Sequence, residues 1–180
     1  ADGYIKLIKQ YPEVDFSISA QDSLTYQIAE NYYTKEDCAN AVTSFDKYLK
    51  AFPKGAFAVY AHFYRGQCLY SQQSYAKSRT DYEYVINQSS NLFTEQALDK
   101  ASRIALHIDK DYDKAFNYSK KLYDIASKKD LKVEALRNLV RSSYYLKKQE
   151  DLTTYSDLLL KSEGKTTDDD IEIYFYRGRL

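Results

Sequence analysis

The sequence predicts an all-α fold built as an array of antiparallel helix pairs. Residues 63–66, Phe-Tyr-Arg-Gly, recur as residues 175–178, and this offset of 112 residues is close to three periods of about 37. Residues 4–12 likewise match residues 45–53, aromatic for aromatic and lysine for lysine, so both prolines close equivalent helices. Only 5 glycines and 2 prolines occur in 180 residues, which favours long helices with short turns over sheets. Repetition at this period indicates a helical repeat array.

The first complete helix pair is predicted over residues 19–53. An apolar stripe at helical spacing marks its second helix, which ends at the Pro-Lys-Gly turn of residues 53–55. The stripe consists of Cys38, Ala41, Val42, Phe45, Leu49 and Phe52. The preceding helix is predicted over residues 19–34, and the polar stretch 34–37 forms the turn and caps the next helix. The inward residues of that helix are predicted to be Leu24, Ile28, Ala29 and Tyr32.

Three further pairs follow along the chain. Their helices are predicted over residues 57–71 and 75–88, then 93–108 and 112–127, then 131–146 and 151–161. The repeats are accordingly placed at 19–53, 56–90, 92–129 and 131–164, with the end of a preceding repeat at 1–12 and the start of a further one at 168–180. The run 167–170, one threonine followed by three aspartates, is interpreted as a capped, dipole-matched start for the last helix at Ile171. Because both ends fall inside helical patterns, we expect residues 1–180 to be a fragment of a longer protein, forming a single array.

Composition and motifs argue against several classes of function. Lys plus Arg equals Asp plus Glu at 26 each, so no basic field favours nucleic acid. No apolar run is long enough to span a bilayer. The two histidines, His62 and His107, lie in no nucleophile, metal or phosphate-binding motif, so we expect no enzyme activity, metal or cofactor. We interpret His62 as a helix-interface residue and His107 as a groove or junction residue.

Cysteine and tyrosine usage gives two further expectations. Cys38 and Cys68 have no metal-ligand spacing, and we expect free, buried thiols, with a disulfide as the alternative. The 20 tyrosines suit a structure with much half-buried surface, since a tyrosine ring buries apolar area and keeps a hydroxyl for water or a partner. Most of these rings are expected to pack between helices.

The helix pairs resemble tetratricopeptide repeats, in which helix A pairs with helix B and small residues lie where the helices cross. In the first pair the match falls on Ile28, Ala29, Tyr32, Ala41, Phe45, Tyr48 and Pro53. The second matches through Gly66, Leu69, Ser78, Tyr82 and Val85, and the third through Leu106, Tyr112, Ala115 and Leu122. Larger residues stand at small-residue positions in the third and fourth pairs, namely Arg103, Arg141 and Thr153.

The long period and the aromatic-Pro ending are similar to bacterial envelope proteins related to the outer-membrane assembly lipoprotein BamD and to the YbgF-type periplasmic proteins. Residues 93–98 and 111–115 also resemble tetratricopeptide proteins of Bacteroidetes. These resemblances imply a bacterial source and a periplasmic or cell-envelope location.

The resemblance implies a right-handed α-solenoid, a tetratricopeptide-like superhelix whose A helices line a concave face that binds a peptide or a partner protein. The ligand-facing positions that it implies are Tyr26, Glu30, Tyr33, Tyr60, Phe63, Gln67, Tyr70, Lys100, Ile104, His107, Asn138, Ser142 and Tyr145. Tyrosines would anchor the ligand there, and Gln67, Lys100 and Asn138 would supply hydrogen bonds. Family members that bind chaperone C-termini need Lys and Asn where this chain has Tyr26 and Glu30, so those peptides are not expected partners.

The sequence thus predicts a non-enzymatic scaffold or adaptor for protein–protein interaction. Three alternatives stay open. The chain could self-assemble into a homo-oligomer through the ends of the array, or serve as the helper domain of an enzyme whose catalytic part lies outside this segment. Alternatively, terminal helices of the intact protein could fold back and fill the groove.

Overall fold

The chain is all-α in the part that the structure describes. The computed structural model describes Gln10 and residues 16–180, so the predicted helix end at residues 4–12 lies, except for Gln10, outside the described residues. Within the described part, nine α-helices pack in consecutive pairs without a strand, which confirms the predicted fold class. The chain divides into two compact units, unit 1 over Ala1–Gln88 and unit 2 over Ser89–Leu180.

The described residues of unit 1 form four helices joined by short turns. They are α1 (Phe16–Thr34), α2 (Cys38–Ala51), α3 (Ala58–Ser71) and α4 (Tyr75–Ile86). Helix α2 packs against α1 and α3, α4 packs against α3, and α1 also contacts α3. The predicted boundaries agree with these helices to within three residues.

Unit 2 contains five helices. They are α5 (Thr94–Arg103), α6 (Tyr112–Ile125), α7 (Lys129–Tyr145), α8 (Gln149–Leu160) and α9 (Thr167–Arg179). Helix α5 continues into a π-helical turn at Ile104–Asp109, which the sequence did not predict. Helix α9 begins four residues before the predicted Ile171, because Thr166 is its N-cap and forms a capping box with Asp169. The acidic run therefore occupies the first helical turn, at the positive end of the helix dipole.

The turn within each complete pair has the same backbone geometry. One residue in each of the four turns is left-handed, and each lies 37 residues after the one before: Glu36, Gln73, Lys110 and Lys147. In all four turns the next amide donates back across the helix end, from Asp37 to the Tyr32 carbonyl at 3.0 Å, for example, which satisfies an otherwise unpaired carbonyl. This spacing confirms the predicted period and aligns equivalent positions of the pairs.

The core of unit 1 is formed by small and aromatic residues at the helix crossings. It contains Tyr26, Ala29, Ala41, Phe45, Tyr48, Leu49, Ala58, Ala61 and Cys68. The prediction that Ile28 faces inward is wrong, since its side chain is 57% exposed. The inner face of α1 passes through Tyr26 and Ala29, and Ile28 is displaced from Ala29 by the 100° that separates successive helical residues.

A disulfide joins α2 to α3 in unit 1. Cys38, the first residue of α2, is bonded to Cys68 near the end of α3, with their Cα atoms 5.1 Å apart. The expectation of free thiols is therefore wrong. Helices α2 and α3 run antiparallel, so the start of one lies beside the end of the other, and residues 30 apart in sequence become neighbours.

The core of unit 2 lies mainly between α7, α8 and α9. It contains Val133, Leu136, Leu139, Val140, Leu152, Tyr155, Leu159, Ile173 and Tyr176. None of the helices in the described ranges is long and apolar enough to cross a membrane.

Candidate functional site

A group of aromatic side chains on α1 and α3 surrounds one carboxylate in unit 1. We call this group the tyrosine face, and it consists of Tyr26, Glu30, Tyr33, Tyr60 and Tyr64. Four of its five members were predicted as ligand-facing residues. Tyr64 was not, although it belongs to the repeated Phe-Tyr-Arg-Gly motif and so carried a sequence signal.

Tyr26 forms the floor of the tyrosine face. Its side chain is 3% exposed, and its ring stacks on Phe57 with the centroids 4.5 Å apart. The Tyr26 hydroxyl donates a hydrogen bond to Glu30 Oε1 at 2.8 Å. Tyr26 thus orients the Glu30 carboxylate and has little surface of its own to offer a ligand.

The other three rings are half-buried and hold one another in place. Tyr33 stacks on Tyr64 with centroids 4.5 Å apart, and Tyr60 lies edge-on to Tyr26 at 6.3 Å. Tyr60 and Tyr64 are tilted neighbours at 6.5 Å. These contacts fix the rings before any ligand arrives, which lowers the entropy that binding would cost.

The phenols of Tyr26, Tyr33 and Tyr64 stay protonated at neutral pH. Burial raises the pKa of Tyr26, Tyr33 and Tyr64 above the ordinary value for a phenol. The hydrogen bond to Glu30 raises the pKa of Tyr26 further, and the negative charge of Glu30 does the same for Tyr64. The face therefore combines neutral hydroxyl donors with one carboxylate acceptor.

The remaining predicted residues of unit 1 contact α4. Phe63 is 3% exposed and packs 6.1 Å from the Tyr82 ring. Gln67 Oε1 accepts a hydrogen bond from the Tyr82 hydroxyl at 2.9 Å, and the Tyr70 ring lies 5.4 Å from that of Tyr75. Packing between α3 and α4 accounts for all of these contacts, so the tyrosine face does not include Phe63, Gln67 or Tyr70.

The predicted residues of unit 2 fall into exposed and buried sets. His107 is exposed, Lys100 is half-buried, and Tyr145 is 49% exposed with its ring stacked on Tyr112 at 4.4 Å. Asn138 is buried and donates to Ser102 Oγ at 3.3 Å. Ile104 and Ser142, which the family resemblance also implied, are buried.

The register predicted for the fourth helix pair is shifted by one residue. The left-handed residues Glu36 and Lys147 align α1 with α7 at an offset of 111. Residues equivalent to Tyr26, Glu30 and Tyr33 are therefore Arg137, Arg141 and Tyr144. The predicted Asn138, Ser142 and Tyr145 each lie one position later, because the residue pattern of that pair is weak and the turn that fixes the register could not be located from the sequence.

Ion pairs of alternating charge connect α5, α7 and α9 of unit 2. They join Arg103 to Asp99 and Glu134, Arg137 to Glu134 and Asp169, and Arg141 to Glu172. Burial alone would raise the pKa of Asp169 and Glu172, but hydrogen bonds from Arg137 and Arg141 lower both below their ordinary values. Partial desolvation of the His107 ring lowers its pKa, and the positive charge of the nearby Arg141 lowers it further, so the imidazole is neutral at pH 7.

His62 bridges α3 and α4. Its Nδ1 atom lies 2.6 Å from Asp81 Oδ1, and its ring stacks on Tyr84 at 3.7 Å. Arg65 also donates to both oxygens of Asp81, at 2.9 and 2.6 Å. These contacts agree with the predicted helix-interface role of His62.

Comparison with known proteins identifies one repeat. Residues 22–55, which span most of α1 and all of α2, match the sequence model of the tetratricopeptide repeat family. No curated protein and no solved structure matches the chain significantly. The matched segment contains Tyr26, Glu30 and Tyr33 of the tyrosine face.

Proposed function

We propose that the chain is a non-enzymatic protein-interaction module that binds a peptide or an extended segment of a partner protein on the tyrosine face of unit 1. The observation that carries the proposal is the set of half-buried rings around Glu30, in which Tyr33 stacks on Tyr64 and Tyr60 lies tilted beside Tyr64. The tetratricopeptide match over residues 22–55 supports protein interaction as the general class of function.

Tyrosine rings suit this task for physical reasons. A tyrosine offers a large amphipathic contact area with only two side-chain torsions to immobilise, so it binds at low entropic cost. Because Tyr33 and Tyr64 already stack on each other, part of that cost is met during folding. In unit 2, we propose that Lys100, His107 and Tyr145 contribute separate polar and aromatic contacts from the helices of that unit.

The test is selection of peptides from a displayed random library on the whole chain, followed by affinity measurement against three proteins. These are the unmodified chain, the Tyr33→Ala/Tyr60→Ala variant and the control Tyr84→Ala, which removes a half-buried ring from α4. We expect selected peptides to bind the unmodified chain and the control, and to lose at least about tenfold in affinity for the double variant, as for hot-spot tyrosines. Equal binding to all three proteins, with helicity preserved, would rule out this face as the site.

The Cys38–Cys68 disulfide supports an oxidising compartment, such as the bacterial cell envelope, as the place of action. Alkylation of free thiols in protein taken directly from its source checks this part of the proposal. We expect neither cysteine to be alkylated before reduction and both to be alkylated after it. Alkylation before reduction would contradict it.

Self-association is the second candidate, and the exposed apolar side chains of α9 favour it. Ile171, Tyr174 and Phe175 all project from that helix into solvent. If this surface pairs two copies, sedimentation should detect a concentration-dependent dimer that Phe175→Ser abolishes, whereas a monomer at all concentrations would exclude this candidate.

A further inference from the structure

The two units contain equivalent pairs of helices, which allows the tyrosine face to be compared with its counterpart in unit 2. Helix α1 corresponds to α7 at an offset of 111, set by the left-handed residues Glu36 and Lys147. Helix α3 corresponds to α9 at an offset of 112, set by the repeated motif of residues 63–66 and 175–178.

Ring stacking supports this alignment. Tyr33 stacks on Tyr64 in unit 1 with centroids 4.5 Å apart. Their equivalents in unit 2, Tyr144 and Tyr176, stack at 4.2 Å. The same pair of tyrosines therefore borders the same position in both units.

In unit 2 an internal ion pair fills that position. Arg141 Nε donates to Glu172 Oε1 at 2.9 Å, and Arg141 Nη2 donates to Glu172 Oε2 at 2.9 Å. The Tyr176 hydroxyl donates to the same Glu172 Oε1 at 2.7 Å. The Glu172 carboxylate thus accepts hydrogen bonds from both the Tyr176 hydroxyl and the Arg141 guanidinium, beside the stacked rings of Tyr144 and Tyr176.

In unit 1 the carboxylate is present and the guanidinium is not. Glu30 stands at the position of Arg141, and Tyr60 at the position of Glu172. Glu30 Oε1 accepts a hydrogen bond from the Tyr26 hydroxyl, as Glu172 accepts one from Tyr176. Within the described part of the chain, no cationic side chain pairs with Glu30, and its Oε2 atom accepts no hydrogen bond.

We propose that the tyrosine face recognises an arginine side chain of its partner, which pairs with Glu30 and lies against the neighbouring tyrosine rings. A guanidinium donates two parallel hydrogen bonds to a carboxylate and is attracted to the faces of aromatic rings, so one side chain satisfies both features of the site. The site would thus bind a cationic group, whereas the family members that bind chaperone C-termini bind a carboxylate. This inference rests on the proposed function, since it names what the same face binds.

The test uses a defined probe, N-acetyl-arginine N-methylamide, beside its uncharged isostere made from citrulline. Both are titrated into the whole chain with ¹³C-labelled tyrosine rings, and the ring resonances are followed by NMR. Two variants are compared with the unmodified protein. Glu30→Gln keeps an acceptor for the Tyr26 hydroxyl but removes the charge. Glu36→Gln removes an exposed carboxylate from the same unit, at a left-handed position where Gln73 stands in the next turn.

We expect the arginine probe to shift the rings of Tyr33, Tyr60 and Tyr64 in the unmodified chain and in Glu36→Gln. The citrulline probe and the Glu30→Gln variant should each weaken binding about tenfold or more, as expected for loss of a charge-assisted hydrogen bond. Equal shifts with both probes, unchanged binding by Glu30→Gln, or no selective shift of these rings would overturn the proposal.

The outcome separates this inference from the proposed function. If selected peptides need Tyr33 and Tyr60 but bind equally well after Glu30→Gln and after replacement of their arginines by citrulline, only the arginine inference fails. If the peptides bind the Tyr33→Ala/Tyr60→Ala variant as well as the unmodified chain, the proposed function fails as well.

Discussion

A buried hydrogen-bond network ties the start of α1 to the turn between α2 and α3. The Tyr48 hydroxyl donates to Asp22 Oδ1 at 2.6 Å and accepts from the Phe57 amide at 3.0 Å. The Ala56 amide donates to Asp22 Oδ2 at 2.9 Å. A side chain at Gly55 would lie within 3 Å of the Tyr48 hydroxyl, so only glycine lets the turn approach so closely.

Tyr48→Phe should destabilise unit 1 by about 1–3 kcal/mol, because it leaves the Asp22 carboxylate and the Phe57 amide without their shared partner. Denaturant unfolding measures the loss. Tyr84→Phe removes a hydroxyl that, among the described residues, makes only a long 3.5 Å hydrogen bond to the Pro53 carbonyl, and it serves as the control that should change stability little. A Tyr48→Phe protein as stable as the unmodified chain would contradict the role given to the network.

The disulfide restricts the unfolded chain across 30 residues. Replacement of both cysteines by alanine should lower the free energy of unfolding of unit 1 by about 2–4 kcal/mol, the usual range for a native disulfide. Reduction of the unmodified protein should have a similar effect, and reduction of the double variant none. Equal stability before and after reduction would show that the bond contributes nothing.

Acid should weaken unit 2 through Asp169 and Glu172. Both carboxyls have a pKa lowered by an arginine in the folded state, so the folded protein binds fewer protons than the unfolded one near their titration range. Their contribution to stability is present above the unfolded pKa values of about 4 and is lost as pH falls through the lower folded values.

Unfolding measured across this pH range should therefore show that stability decreases as the pH is lowered. Asp169→Asn should reduce the slope of stability against pH. Asp168→Asn is the matched control, since Asp168 lies exposed in the same helical turn. The interpretation is wrong if the two variants have the same pH dependence.

At the scale of elements, identical sequence motifs lie in different surroundings. Gly66 of α3 is buried, and a Cβ atom there would lie 3.2 Å from both Asp81 Cβ and Tyr82 Cε1. Neither neighbour can move aside easily, because Asp81 accepts a hydrogen bond from Arg65 and the Tyr82 side chain is completely buried. Gly178, its equivalent in α9, has no atom within 4 Å of such a Cβ.

Gly66→Ala should destabilise the protein by about 1–3 kcal/mol through overpacking. Gly178→Ala should instead be neutral or stabilising by up to about 1 kcal/mol, because alanine favours the helix and meets no neighbour. Thermal unfolding of the two variants tests this difference in sign. Similar effects at both positions would contradict the described packing.

The sequence predicted the helices well because their periodicity and turn residues are local signals. The 37-residue spacing of the left-handed residues agrees with the period inferred from the repeated motif. Two features were missed at this scale. The π-helical turn at Ile104–Asp109 has no distinctive composition, and the register of α7 depends on where its C-terminal turn forms around Lys147.

At the scale of the whole molecule, the candidate site was predicted only in part. Tyr33, Tyr60 and Glu30 could be named from the repeat register, since they lie on one face of their helices. The burial of Phe63 and Asn138 could not, because it depends on side chains supplied by α4 and by Ser102 of α5. The disulfide was missed for the same reason, as it joins residues brought together by packing between pairs.

The central claim is that partners bind the tyrosine face, and photocrosslinking in the source cell tests it most directly. p-Benzoylphenylalanine would replace Tyr60 in one strain and Tyr84, on α4, in another. The account predicts a discrete crosslinked adduct from position 60 that is absent from position 84 and is lost when Tyr33→Ala is added. No adduct at position 60, or the same adduct from both positions, would contradict it.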